Sequence, residues 1–269
     1  MPFKPLRSAA PSVESPEALF LDLRARKVAG LLAHQADVLR EYMARASGAP
    51  DVAFQLPTGS GKTLVGLLVG EWRRRTFDER VVYLCPTNQL VHQVVEQART
   101  KYGLKVNGFT GWKGDFDPTA KGEYLGGEAI AVTSYSALFN TNPFFDDPHT
   151  ILLDDAHAAE NSIAPMWSLR VERHREEHGP LYAALVGVLI AVLPPTDAQR
   201  LTGTGEEAWD TAWVDKVPTP VLYPLIPELV STIDAHVGDT DLRFPWSLLR
   251  DRLHACNVYL GAREILIRP

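Results

Sequence analysis

Seven consecutive residues carry the clearest chemical signal in the sequence. They are Pro57, Thr58, Gly59, Ser60, Gly61, Lys62 and Thr63. The two glycines that flank the serine allow the backbone to turn its N–H groups inward, where they can grip phosphate oxygens. Lys62 stands at the offset from which an ammonium group reaches the β- and γ-phosphates of a nucleotide, and Thr63 at the offset of a Mg²⁺ ligand. The pattern predicts a nucleotide site, against the alternative of a glycine turn that binds nothing.

The segments on either side of this loop fit the same prediction. The apolar run from Val52 to Leu56 predicts a strand that delivers the chain to the turn, and a helix is expected from Thr63 to about Arg75. The positive end of that helix dipole would point at the bound phosphate. The strict phosphate-loop pattern has glycine at the position of Leu56, so the generic motif fails at one residue.

A second signal lies farther along the chain, where acidic residues follow a hydrophobic strand. The strand candidate Ile151 to Leu153 ends in Asp154 and Asp155, and His157 follows after one alanine. Carboxylates at a strand end near a phosphate loop are suited to holding a hydrated Mg²⁺ and to polarising a water molecule. The alternative is a solvated start of a loop.

Short apolar runs that alternate with helical patterns indicate the fold class. The strand candidates are Val81 to Cys85, Leu104 to Phe109, Ala129 to Thr133 and Thr150 to Leu153. Continuously apolar, β-branched runs separated by helices predict an α/β domain with a mostly parallel sheet that is covered on both faces. Ligands of such sheets gather at the carboxyl ends of the strands.

Two helices are predicted before the loop. Ser15 and Pro16 predict a helix start that buries Leu19, Phe20 and Leu23. A second helix is expected from about Ala33 to Ala46. It carries Gln35, whose amide has both a donor and an acceptor to offer an adenine edge. A solvated surface glutamine is the alternative.

Together these segments resemble the first motor domain of superfamily 2 DEAD/DEAH-type helicases, a RecA-like P-loop NTPase fold, over about residues 33–160. The matching segments are Pro57 to Thr63 (motif I), Pro86 to Gln93 (motif Ia), Val132 to Leu138, and Asp154 to His157 (motif II). The resemblance implies ATP and Mg²⁺ as cofactors and Gln35 as the adenine contact. It also implies that Asp154 holds the metal through water, that Asp155 orients the attacking water, and that His157 couples the site to a second motor domain.

The same resemblance implies contacts with a nucleic-acid backbone from Thr87, Thr133 and Ser134. A strand cap or a local hydroxyl turn is the alternative for these three residues. DNA is favoured over RNA as the partner.

The sequence departs from the family pattern in two ways. Asp155 stands where the family has glutamate, one methylene longer, and the Ser-Ala-Thr of motif III is absent, as are the motifs of a second motor domain. The expected partner is therefore a second RecA-like domain in the same full-length chain, and residues 1–269 alone are expected to hydrolyse ATP very slowly.

The region after motif II predicts further organisation. Helical spacing in Leu181 to Leu193, Val221 to His236 and Pro245 to Tyr259 predicts a helical insertion over residues 162–259. Such an insertion resembles the XPD and DinG families, although Cys85 alone does not support their iron–sulfur cluster. Residues 1–15 are expected to form a flexible tail, residues 16–161 the RecA-like domain, and residues 260–269 a return to its core.

Composition limits the range of functions. The 269 residues are 45% hydrophobic and 22% charged with a net charge of −6, so any attraction to nucleic acid must be local. The longest apolar run is too short to cross a bilayer. Two widely separated cysteines, Cys85 and Cys256, are expected to be reduced thiols in the cytoplasm.

The sequence thus predicts the ATP-binding motor domain of a nucleic-acid helicase. Two alternatives remain: a translocase that moves on duplex DNA in a restriction or defence complex, and a non-catalytic, nucleotide-dependent scaffold. In the second alternative the insertion binds a protein partner.

Overall fold

The computed structural model describes residues 13–204 and 212–269. The chain divides into two compact units at residues 160 and 161. Most of the expected flexible tail, residues 1–12, and residues 205–211 of the expected insertion lie outside the described residues. Within the described part of the chain, no helix has both the length and the apolar character that a membrane crossing requires.

The first unit is built on a four-stranded parallel sheet, which confirms the predicted α/β class. Its strands are β1 (Val81–Cys85), β2 (Val106–Phe109), β3 (Ile130–Ser134) and β4 (Thr150–Leu153). They lie in the order β2-β3-β1-β4, with Val82 opposite Ala131 on one side and Ile151 on the other. All five residues of β1 are buried, because it is a central strand with helices on its faces.

Helices connect these strands and complete the unit. They are α1 (Pro16–Asp22), α2 (Ala33–Glu41), α3 (Lys62–Phe77), α4 (Asn88–Gln97), α5 (Pro118–Leu125), α6 (Tyr135–Leu138) and α7 (Ala156–Ile163). Helix α2 continues as a π-helical turn over Tyr42–Ala46, and α4 does so over Ala98–Tyr102. The helix start at Pro16 is confirmed, since the Ser15 hydroxyl accepts a hydrogen bond from the Ala18 amide at 3.1 Å.

The predicted strand over Val52 to Leu56 is wrong. Residues 51–57 have no strand pairing, and the chain reaches the glycine turn as irregular backbone. Side-chain packing holds this segment instead: Leu56 is buried, and the Phe54 ring meets Tyr42 edge to face at 5.7 Å between centroids. In the described residues, β4 therefore pairs only with β1.

Buried ion pairs fix α3 at the end remote from the loop. Glu71 is almost fully buried and accepts hydrogen bonds from both Arg74 and Arg75. Arg74 also donates to the Gly127 carbonyl at 2.8 Å, which ties α3 to the turn before β3. Because each charge is paired, the carboxylate is tolerated in the core.

The second unit has its own core and its own sheet. The strands are β5 (Leu169–Glu172), β6 (Val214–Lys216), β7 (Asn257–Gly261) and β8 (Glu264–Arg268). They pair antiparallel in the order β5-β8-β7-β6. The helices are α8 (Gly179–Leu189), α9 (Pro195–Thr202), α10 (Thr219–Leu222), α11 (Ile226–His236) and α12 (Arg243–Leu249).

Two expectations for this region need correction. The region is not purely helical, and β8 pairs with β5 and β7 in this second sheet instead of returning to the parallel sheet. The pattern after Cys256 explains why: Val258, Leu260, Ile265 and Ile267 are buried and alternate with more exposed residues. This period of two is that of a hairpin with one buried face, whereas the helix predicted over Pro245 to Tyr259 extended into its first strand.

A buried histidine links β5 to the segment that precedes α12. His178 accepts a hydrogen bond at Nδ1 from the Glu172 amide (3.1 Å), so its proton is on Nε2, which lies 3.1 Å from the Asp241 carboxylate. Arg175 approaches the same carboxylate at 2.9 Å. The hydrogen bond from His178, and then that from Arg175, hold the pKa of Asp241 below its ordinary value.

Asp241→Asn is expected to lower the free energy of unfolding at neutral pH, because it removes the charge that both neighbours stabilise. Because the pKa of Asp241 is lower in the folded protein than its unfolded-state value of 3.8, the ionised carboxylate stabilises the fold above pH 3.8. This contribution is lost as the pH falls through the pKa of the folded state. The difference between wild type and variant should therefore shrink in acid. Urea unfolding at a series of pH values measures it, with the exposed Asp251→Asn as control, and a difference that does not change with pH would contradict the assignment.

Candidate nucleotide-binding site

The predicted phosphate loop has the backbone that a phosphate cradle requires. Gly59 and Gly61 have φ of +79° and +81°, in the left-handed region that glycine enters without strain. The Ser60 hydroxyl donates to the Pro57 carbonyl at 2.6 Å, and this closes the turn between them. Helix α3 begins immediately afterwards at Lys62, so its free N–H groups face the loop.

Gln35 holds this loop from α2. Its Nε2 donates to the Ser60 carbonyl at 2.7 Å, and its Oε1 accepts from the Leu32 amide at 3.0 Å. The His34 ring nitrogen Nε2 lies 3.0 Å from the same Ser60 carbonyl. A Cβ on Gly61 would come within 2.3 Å of the Gln35 amide, so this glycine is needed for space as well as for conformation.

These contacts bear on both interpretations of Gln35, the solvated surface residue and the adenine contact. The side chain is buried, so it is not a solvated surface glutamine. Both ends of its amide are also engaged by the protein, and in this structure it is not presented to an adenine ring. Its observed contacts position the phosphate loop.

Asp154 directly follows β4 and lies beside two buried tyrosines, Tyr83 and Tyr135. Its amide continues the sheet by donating to the Leu84 carbonyl at 2.9 Å, and its own carbonyl accepts from the Tyr135 hydroxyl at 2.6 Å. The Tyr83 hydroxyl lies near the side chains of both Asp154 and Thr63. These two predicted metal ligands are therefore brought close to the same buried phenol, although they come from different elements.

The electrostatics of Asp154 suit a cation site. Burial, followed by the charge of Asp155, raises the pKa of Asp154, while the hydrogen bond from Tyr83 and the charge of Lys62 oppose the shift. Burial, and then the charge of Asp154, raise the pKa of the nearby Cys85 thiol to about 12, so this thiol is protonated at neutral pH.

The donor set fits Mg²⁺. Among the described residues there is no group of three or more histidine, cysteine, aspartate or glutamate side chains that could hold a metal ion. Mg²⁺ in nucleotide sites does not need such a cage, because one or two protein oxygens suffice when phosphates and water complete the octahedron. The Thr63 hydroxyl and the Asp154 carboxylate, which both lie near Tyr83, are such a pair.

Asp155 and His157 are exposed beside this pair. Asp155 has a φ of +54°, and aspartate is one of the few residues other than glycine that enter this region. Its carboxylate is therefore free to face a ligand, while its backbone turns the chain from β4 into α7. His157 lies in the first turn of α7.

The three predicted nucleic-acid contacts differ in accessibility. The Thr133 side chain is fully buried, and its hydroxyl donates to the Phe109 carbonyl at 2.7 Å. The expected contact of Thr133 with nucleic acid is therefore replaced by a contact between strands β3 and β2. The Thr87 hydroxyl is exposed but caps α4 by accepting from the Leu90 amide at 3.3 Å. Ser134 is half-buried, and its hydroxyl lies 3.0 Å from that of Ser136. Of the three, Ser134 is the residue that borders an open cavity.

Sequence reasoning missed Tyr83 and Tyr135. Both stand in or next to apolar strands, where a tyrosine is expected to be core, and both are indeed buried. The available signal was their hydroxyl, because a buried phenol needs a polar partner and the strand end is where such partners are found.

Gly61→Ala is expected to lower the free energy of unfolding, because it adds a left-handed strain of roughly 1–2 kcal/mol and a clash with Gln35. In a Gln35→Ala background the clash is absent, so Gly61→Ala should cost less there. A double-mutant cycle by urea unfolding measures this coupling, with Gly48→Ala as control since nothing lies within 4 Å of its Cβ position. Strict additivity would show that Gln35 does not support the loop.

A family model described as DEAD/DEAH box helicase matches residues 33–182. The match begins at the first residue of α2 and includes the phosphate loop and Asp154 to His157, over more than half of the 269 residues. Comparison with curated proteins and with solved structures gave no match. The chain therefore belongs to the DEAD/DEAH box helicase family and carries the ATP-binding motor domain of a superfamily 2 helicase.

Proposed function

We propose that this motor domain binds ATP with Mg²⁺ at residues 57–63 and uses hydrolysis to drive movement along a nucleic acid. The observation that carries the proposal is the convergence of Lys62, Thr63 and Asp154 at the mouth of a loop with two left-handed glycines. A cation, a hydroxyl and a carboxylate around free backbone amides are the groups that phosphoryl transfer requires.

In this proposal each residue has a distinct task. The loop amides and Lys62 hold the β- and γ-phosphates, while Thr63 and Asp154 hold the metal directly or through water. When bound, Mg²⁺ supplies positive charge that neutralises the phosphate oxygens. Asp155 orients the attacking water, and His157 couples the site to a second RecA-like domain of the full-length protein, as the family resemblance implies.

DNA is proposed ahead of RNA as the nucleic acid. This choice rests on the resemblance of the region after Asp155 to the XPD and DinG families. The alternative that the motor translocates on duplex DNA without separating the strands is distinguished by a strand-displacement assay on the full-length protein.

A second candidate is supported by Asp155 itself. Its side chain is one methylene shorter than the family glutamate, so its carboxylate would reach less far toward a water at the γ-phosphate. In that case the domain is a nucleotide-dependent scaffold that binds ATP without rapid turnover, and the insertion predicted over residues 162–259 binds a protein partner.

Lys62→Ala should weaken ATP·Mg²⁺ binding while leaving the fold intact. The lost contact is charge-assisted and worth roughly 1.5–3 kcal/mol, which corresponds to about 10- to 150-fold in Kd. Isothermal titration of wild type and variant measures the change, with the exposed Lys101→Ala as a control for the loss of one positive charge. Equal affinities for wild type and Lys62→Ala would refute the assignment of the phosphate loop.

Asp155→Asn should preserve ATP·Mg²⁺ binding but reduce steady-state ATPase activity by about 10²- to 10⁴-fold, the loss expected for a positioned base. Asparagine tolerates positive φ as aspartate does, so the backbone at this turn is kept. Asp154→Asn should instead weaken ATP·Mg²⁺ binding itself. Unchanged turnover in Asp155→Asn, measured in the full-length protein with nucleic acid present, would favour the scaffold.

A further inference from the structure

An exposed tryptophan borders a polar cavity of the first unit. Trp112 is 71% exposed and follows Gly111, which has a φ of +83°, just beyond the end of β2. A Cβ on Gly114 would lie within 1.8 Å of the indole, so the ring rests against the Gly114 backbone. One side of the ring is therefore supported, and within the described residues no other aromatic ring stacks on it.

The cavity beside Trp112 has the size and lining of a nucleotide subsite. Its volume is about 480 Å³, within the range of small-ligand sites. The apolar part of its lining comes from three phenylalanines, Phe109, Phe116 and Phe144. The polar part includes the Ser134 and Ser136 hydroxyls and the Asn88 amide at the first turn of α4.

A fixed positive charge completes the lining. The Lys113 ammonium is held by the Asn142 carbonyl at 2.9 Å and by the Asn142 side-chain oxygen at 2.6 Å. Both bonds use neutral acceptors, so the charge is positioned without being neutralised. An aromatic wall, hydroxyls and one held ammonium match a base, a sugar and a phosphate respectively.

The cavity is separate from the ATP site, although both lie at the carboxyl ends of the strands of the parallel sheet. It lies at the carboxyl ends of β2 and β3, whereas Asp154 follows β4 on the other side of β1. No residue of the phosphate loop lines the cavity. A second ligand can therefore occupy it while ATP is bound.

The overall charge favours stacking as the means of capture. A chain with a net charge of −6 has no overall attraction for a polyanion, so electrostatic attraction must come from local groups such as Lys113. Base stacking on an indole does not depend on net charge, and it tolerates any sequence because every base has a π face.

We propose that Trp112 and this cavity bind one unstacked base of a single-stranded nucleic acid, with the base on the exposed face of the indole and its phosphate near Lys113. This inference rests on the proposed nucleic-acid motor function and names a specific contact within it. The contact differs from the backbone contacts expected of Thr87 and Ser134, because it requires an unpaired base.

The test is titration of a fluorescently labelled oligothymidylate into the protein and its variants. Trp112→Ala should raise the Kd by about 5- to 150-fold, the range found for losing one stacked base. Trp112→Phe should restore most of the affinity, since phenylalanine keeps a π face. Because neither change alters charge, the salt dependence of Kd should stay the same.

Two glycine variants test the position of the ring without removing it. Gly114→Ala should weaken oligothymidylate binding, because the new methyl group displaces the indole. Gly122→Ala on α5 is the matched control, since nothing lies within 4 Å of its Cβ position. Binding that is equal in wild type, Trp112→Ala and Gly114→Ala would overturn the inference.

Parallel titrations with ATP·Mg²⁺ separate this inference from the proposed function. If Trp112→Ala loses ATP binding as well, the segment is structural and the inference fails. If the wild type binds ATP·Mg²⁺ but no oligothymidylate, the inference fails while the nucleotide site stands. If thymidine monophosphate displaces the oligonucleotide when both are present at the same concentration of nucleotides, the cavity is a pocket for small molecules. This result would also overturn the assignment to a single-stranded nucleic acid.

Discussion

The hydrogen bond from the Gln35 amide to the Ser60 carbonyl is the constraint on which the candidate site depends. It fixes the peptide that joins Ser60 to the left-handed Gly61, and it comes from α2, which is itself packed in the core of the first unit. The loop could otherwise take many shapes, because glycine loses more conformational freedom on ordering than any other residue. The Gln35 amide is buried and hydrogen-bonded at both ends, so it restricts the conformation of the loop from which α3 begins.

The parallel sheet provides the second level of organisation. Since all four strands run the same way, their carboxyl ends bring together residues that are far apart in sequence. Tyr83 illustrates this convergence: its ring is buried within β1, while its hydroxyl lies near Thr63 of α3 and near Asp154, which follows β4. A metal site made from two elements needs accurately placed ligands, because small errors in ligand position weaken Mg²⁺ binding more than that of larger cations.

Much of the first unit was predictable because its signals are local. Val81 to Cys85 is apolar throughout, and the glycines, Lys62 and Thr63 stand at fixed offsets, so both the central strand and the phosphate loop could be inferred. Thr133 could not be assigned correctly, because a strand buried on both faces gives no alternation to show which way its hydroxyl points. The second sheet was missed for a related reason: short apolar runs fit helix and strand equally well, and only tertiary pairing separates them.

The uncovered edge of β4 matters for the behaviour of the protein at high concentration. In the described residues this strand pairs on one side only, and Ile151 and Leu153 are 40% and 43% exposed. Natural edge strands discourage self-association with charges, prolines or bulges, whereas Thr150–Leu153 contains no charged residue and no proline. An edge of this composition is one at which copies of a chain can pair, and a charged residue such as lysine in place of Ile151 is the kind of change by which natural sheets suppress aggregation.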